Sequence, residues 1–366
     1  MRYAPLIAAA ATFIVLSSTI ALAVGEVTDK PLAIREDAGR LYVSYDQGRI
    51  RVFDSSTLEL LNEFTAEGKF IPAIETDDDN IYYGTGVGGT NTSFIMAITK
   101  GGETVSSAEG RDIFLSVLIH DGRLYDCQRN GIVEIRSVPD LKVLFSANNS
   151  GFCGSVRVDD KYVYSTAEKK IIIRDKKDLS KVAEISADSD RIRALWVDNE
   201  KLYSIADDSA LKIWNKTDFS QIGNQSLNNP WALTGYGDMI FSTSDRGLVA
   251  LDRSGNIIAT MNSNGIEVYG LYATDKALYG THQDGTVRIW DTKTFNNTVA
   301  SQIFQYTPAK YQNLELIQAV SYVLLAVGVI GFVALTIRDR RRKKKAISAT
   351  ATPPAEPIPV KPAEQS

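Results

Sequence analysis

The sequence is poor in the residues that carry most protein chemistry. Two histidines, two cysteines, four tryptophans and four methionines are all that occur in 366 residues. The histidines are His120 and His282, and no C-x-x-C pair exists, so no metal centre is written in the chain. G-x-S-x-G, Walker and dinucleotide fingerprints are missing. Paired carboxylates for glycoside hydrolysis do not stand apart from the many turn acids. No cofactor is implied. Excess positive charge is missing too. The net charge is −4, and from Arg338 onward eight basic residues face three acidic ones. That tail carries +5, which leaves −9 on the rest. An acidic body lacks the basic face that a phosphate backbone demands, which excludes nucleic acid as a partner.

Apolar runs are present at both ends. Arg2, an apolar stretch from Leu6 to Ile20 and the exit Ala21-Leu22-Ala23 read as a secretory signal peptide, residues 1–23. A second stretch opens on Leu316 and closes on Ile337, 22 residues without a charge. At 1.5 Å per residue it is long enough for one transmembrane helix. Residues 307–315 read as its linker. A basic cluster follows, Arg338 to Lys345 with only Asp339 opposing, and such clusters stay on the cytoplasmic side. The remainder of 338–366 is rich in Ala and Pro and buries no core. The expectation is a single-pass protein of the cell membrane, its body outside and its tail in the cytoplasm.

Between these ends one unit repeats. An aliphatic-aromatic pair recurs at Leu41-Tyr42, Ile81-Tyr82, Leu124-Tyr125, Val163-Tyr164, Leu202-Tyr203, Ile240-Phe241 and Leu278-Tyr279. The aromatics are 40, 43, 39, 39, 38 and 38 residues apart, the period of four-stranded propeller blades. Nine residues before each aromatic stands a small residue: Ala33, Ala73, Ser116, Ser155, Ala194, Ala232, Gly270. An aliphatic residue follows each. Asp occupies the next turn in most copies, where its carboxylate bonds nearby N–H groups. A first strand beside a central axis must carry small side chains, and the aliphatic column alternates with it at period two. The fold class is therefore all-β, a seven-bladed β-propeller of four-stranded blades over residues 24–306, plus one C-terminal transmembrane helix. Copy two, Gly-rich from Gly84 to Asn91, reads as a longer loop.

The third strand of the best copies ends in an aromatic-acidic pair, Phe53-Asp54 and Trp290-Asp291. On these residues the chain resembles the WD40 family and its looser quinoprotein-like relatives over about residues 31 to 306. The Gly-His pair of that family is missing from every copy, and Trp-Asp survives once. The resemblance is thus to a divergent member, without the family's buried His-Asp-Ser-Trp network.

Cys127 and Cys153 fall on one propeller face in adjacent blades and are candidates for a disulfide, the alternative being two buried thiols. Asn91, Asn148, Asn215, Asn224 and Asn296 open N-x-[ST] triplets, candidate glycosylation sites in an exterior body. The acids Asp77-Asp78-Asp79 and Asp207-Asp208 read as solvated turn acids. Ten residues before three successive anchor aromatics stand Arg193, Trp231 and Tyr269, with Arg191 two residues upstream. Arg with aromatics is the composition of recognition hot spots, against plain loop packing as the alternative. The leading functional reading is a protein- or glycan-binding scaffold. The other readings are a propeller enzyme, quinone-dependent or polysaccharide-active, and a structural cell-envelope protein.

Overall fold

The computed structural model describes residues 27–86, 93–187, 190–245, 247–262, 266–300, 305–306, 337–338 and 340–342. Residues 27–306 form one compact unit; 1–26 and 307–366 form a second. The signal peptide, the linker and nearly all of the proposed membrane span lie outside the described residues. In the second unit Ile337, Arg338, Arg340, Arg341 and Arg342 are helical and exposed. Among the described residues no helix is long and apolar enough to cross a membrane.

The first unit holds seven four-stranded antiparallel sheets, each built from four consecutive strands. The first strands are Pro31–Asp37, Phe70–Thr76, Phe114–His120, Val156–Val158, Ile192–Val197, Leu233–Tyr236 and Val268–Ala273. They touch one another in cyclic order, and the seventh touches the first. The sheets are therefore blades 1 to 7 of a closed propeller. Each blade is complete in itself. Val27–Thr28 pairs instead with Gln305–Tyr306, an antiparallel clasp between the two ends of the ring.

The core is distributed over the gaps between blades. Seven buried clusters occur, each drawing on two adjacent sheets. In the gap between blades 1 and 7, Ile34, Leu41, Val43 and Phe53 face Tyr279, Val287 and Ile289. Period-two alternation puts one face of each strand into one gap and the other face into the next, which is why both faces of the middle strands are apolar.

The small column has a polar function as well as a steric one. Ser116 Oγ accepts from Val156 N, and Ser155 Oγ from Leu195 N, both at 3.2 Å, so each serine joins its blade to the next. At Gly270 a Cβ would stand 2.7 Å from the Leu32 carbonyl oxygen of blade 1.

The turn acids lock the outer part of the same hairpins. Asp77, Asp159 and Asp198 each accept two backbone N–H bonds and the hydroxyl of Tyr82, Tyr164 or Tyr203. Each Tyr–Asp pair thus ties the turn to the second strand of its own hairpin. In the blades themselves Trp214 Nε1 donates to Ser204 Oγ at 3.1 Å, and His282 packs on Trp290.

One local expectation changes in part. Gly84 and Gly86 belong to strand Asn80–Gly86, and a Cβ on either would meet Phe114 or Ile113 at 3.0 Å or closer, so these two glycines serve close packing of blade 2 on blade 3. The rest of the Gly-rich stretch, residues 87–91, lies outside the described residues.

Candidate ligand-binding channel

The ring of first strands encloses a channel of about 900 Å³. Two levels of side chains line it, and both follow from strand register. The residue paired across the sheet with each anchor aromatic is Arg35, Glu75, Leu118, Arg157, Trp196, Thr234 and Tyr272 in blades 1 to 7. Equivalent register puts them at one level, and all seven line the channel.

The second level is the mouth. Pairing skips one residue near the start of the first strand: Leu32, Leu115, Arg193 and Tyr269 are each left over between paired neighbours. Such β-bulges re-aim the extra side chain. Arg193 therefore turns inward, with its guanidinium 3.8 Å from the centre of the Trp231 ring in the next blade. Its Nε donates to Asp207 Oδ1, and Arg191 reaches Asp207 Oδ2 at 3.3 Å. Arg191 in turn lies 4.9 Å over the Phe152 ring of the preceding blade. The result is a run Phe152–Arg191–Asp207–Arg193–Trp231 across three blades. Trp231 keeps 46% of its surface exposed.

Arg191, Arg193 and Trp231 are thus brought together. Tyr269 lines the same channel one blade further on, half-buried, with a side-chain hydrogen bond to Gln283 of its own blade. Asp207, read from the sequence as a solvated turn acid, is the shared counter-ion of both arginines. Sequence reasoning passed over it because the bond spans a hairpin. It also passed over the deeper ring, although a column seven residues before each anchor aromatic was there to be read.

At the deeper level Arg35 pairs with Glu75 at 2.6 Å and lies 4.6 Å over the Tyr272 ring. Burial raises the Glu75 carboxyl, opposed by Arg35 and by the Thr76 N–H bond. Arg157 donates Nη1 to its own Val156 carbonyl at 2.7 Å. Among the described residues no carboxylate lies within ion-pairing distance of it. Burial, then repulsion from Arg35, pushes its guanidinium down to about 10, against the attraction of the more distant Glu75.

Cys127 and Cys153 are joined as a disulfide between blades 3 and 4, with Cα atoms 5.9 Å apart. Asn148, Asn224 and Asn296 are exposed, and Asn91 lies outside the described residues. Asn215 is half-buried, and its carboxamide oxygen accepts from Thr217 N. No cluster of three His, Cys, Asp or Glu able to hold a metal occurs among the described residues.

Known proteins give the same architecture. No family model matches the chain. The WD40 β-propeller domain of Doa1 superposes with a TM-score of 0.63 at 14% identity, over 74% of this chain and 94% of that one. This chain is a seven-bladed β-propeller, similar in fold to a WD40 propeller. A computationally designed protein, Ika8, superposes on the propeller with a TM-score of 0.57 at 15% identity, over 73% and 97% of the two chains. In sequence the chain is 27% identical over 187 residues to a WD repeat-containing protein 55 homolog of Dictyostelium discoideum. That match spans 49% of this chain and 45% of the relative.

Proposed function

We propose that the protein is a binding scaffold: a WD40-like propeller held outside a membrane, with the channel mouth as its docking surface for a protein partner. The observation that carries the docking reading is the Arg193–Trp231 stack. A tryptophan 46% exposed, capped by a guanidinium that is itself fixed by Asp207, is a preorganised anchor. A packing residue at that position would have been covered. The rigid ring with variable connections suits recognition more than chemistry. Membrane tethering rests on the sequence: the apolar stretch that ends at Ile337, the basic cluster behind it and the secretory-type N-terminus.

One experiment addresses both halves. Intact cells are treated with a membrane-impermeant cross-linker, and the products of wild type, Trp231→Ala and Arg193→Ala are compared. The wild type is expected to form a discrete adduct with a protein. Each variant is expected to keep its melting transition and to lose about 2 kcal/mol of binding, roughly thirtyfold in affinity. A propeller untouched by the reagent until cells are opened would overturn the topology. Undiminished adduct in both folded variants would move the search to the opposite face.

A further inference from the structure

We infer that the deep level of the channel is a carboxylate-binding site, with Arg157 as its principal ligand. Three observations converge there. The first is charge. The ring at this level holds two guanidiniums, Arg35 and Arg157, and one carboxylate, Glu75, and that carboxylate is engaged by Arg35 at 2.6 Å. Arg157 is left with one bond to a backbone carbonyl.

The second is cost. Arg157 is half-buried, and Glu75, the carboxylate that attracts it, is ion-paired to Arg35 instead; one carbonyl does not replace the solvation and close counter-charge that such a group normally keeps. Arginine holds its proton at neutral pH. The direction of the Arg157 shift, downward through burial and Arg35 against the weaker pull of Glu75, marks the same deficit. An incoming anion removes it, and the planar fork suits a bidentate carboxylate.

The third is shape. The site is an open channel of about 900 Å³ and not a sealed void. In the adjacent blades at the same level stand Leu118 and Trp196, apolar walls for the carbon attached to the carboxylate. The mouth repeats the bias, since Arg191 and Arg193 share the single acid Asp207. A carboxylate therefore meets positive charge at the entrance and again at depth, an arrangement that concentrates anions. The group can come from an acidic side chain of a docked segment or from a free small acid. The inference deepens the reading of the channel as a docking surface.

Purified full-length protein would be titrated with two defined probes at constant ionic strength: sodium acetate and the capped peptide Gly-Gly-Glu-Gly-Gly. Acetamide and the Gln-containing peptide are the neutral controls. Tryptophan fluorescence and the melting midpoint are the readouts. Both signals are expected to saturate with a carboxylate probe and not with its neutral control. Arg157→Met is expected to weaken binding at least tenfold. Without ligand that variant should melt no lower than wild type, because it removes a charge that Glu75 compensates only in part. Peptide binding at least tenfold tighter than acetate assigns the carboxylate to a docked chain; comparable affinities assign it to a small acid. No saturable, carboxylate-dependent signal from either probe overturns the inference, as does equal binding by Arg157→Met. Since no cellular partner is used, failure to cross-link one leaves this result intact, and the reverse holds too.

Discussion

At the scale of single residues, the sequence spoke most clearly where sterics act alone. The small column is legible because a first strand beside its neighbours tolerates nothing larger: at Gly270 the carbonyl of Leu32 already occupies the place of a Cβ. Polar roles were less legible. His282 drew no role from the sequence, yet it is fully buried, with neither ring nitrogen hydrogen-bonded among the described residues. Burial, then Arg288, pushes it down to about 4. A folded value below the ordinary 6.5 means that the neutral ring favours the fold. That contribution is complete above pH 6.5 and is lost as pH falls through about 4. It is worth about 3 kcal/mol at most. Asp126 and Asp29, raised by burial to about 7 and about 6, act in the opposite sense, stabilising at acid pH and losing that effect as pH rises. The informative quantity is therefore a difference. His282→Leu should flatten the loss of stability between pH 6.5 and 4 relative to wild type, read from denaturant midpoints across that range. Parallel pH profiles for the two proteins would refute the assignment.

At the scale of elements, strand order and blade period were readable because each blade is contiguous and its hairpins carry Asp and Gly turns. What links blade to blade was not, because those partners lie 40 to 63 residues apart in sequence. Besides the serines, a basic residue reaches back to the turn acid of the preceding blade: Lys100 to Asp37 at 2.5 Å, Lys176 to Asp121 and Lys216 to Asp159 at 2.7 Å. These pairs are partly exposed, so each contributes little alone. The covalent link is different. Cys127–Cys153 closes a 26-residue separation and ties blade 3 to blade 4. Loop-closure entropy of that size amounts to about 3 kcal/mol. The double variant Cys127→Ala, Cys153→Ala should lose about that much, measured by denaturant unfolding. Thiol reductant should lower wild type equally and leave the double variant unmoved. A reduced wild type with unchanged midpoint would show that packing in that gap, not the bond, holds the two blades.

At the scale of the whole molecule, the question is how a ring of self-contained blades stays shut. Many closed sheets share a strand across the seam; here, among the described residues, packing and a few bonds join blades 7 and 1. Thr281 Oγ1 donates to the Leu32 carbonyl at 3.3 Å, and Ile34 and Tyr279 share one buried cluster. The terminal clasp Val27–Thr28 with Gln305–Tyr306 is short. It leads directly into Asp29, which is fully buried and pairs with the equally buried Arg51 of blade 1 at 2.8 Å. Arg51 also lies 4.2 Å over the Tyr45 ring and bonds Glu63. Asp29 thus fixes the clasp to the body of blade 1. Removing one partner of a buried pair leaves the other charge undercompensated and costs about 3–5 kcal/mol. Asp29→Ala should therefore destabilise the propeller by that order, more than a comparable change at a surface pair such as Lys142 with Asp140. Its location predicts where the loss appears. Amide hydrogen exchange should quicken first in blades 1 and 7, while blades 3 to 5, remote from the seam and braced by the disulfide, keep their protection. Uniform acceleration over all seven blades would mean that the ring opens as one cooperative unit and that the clasp is no special point of closure.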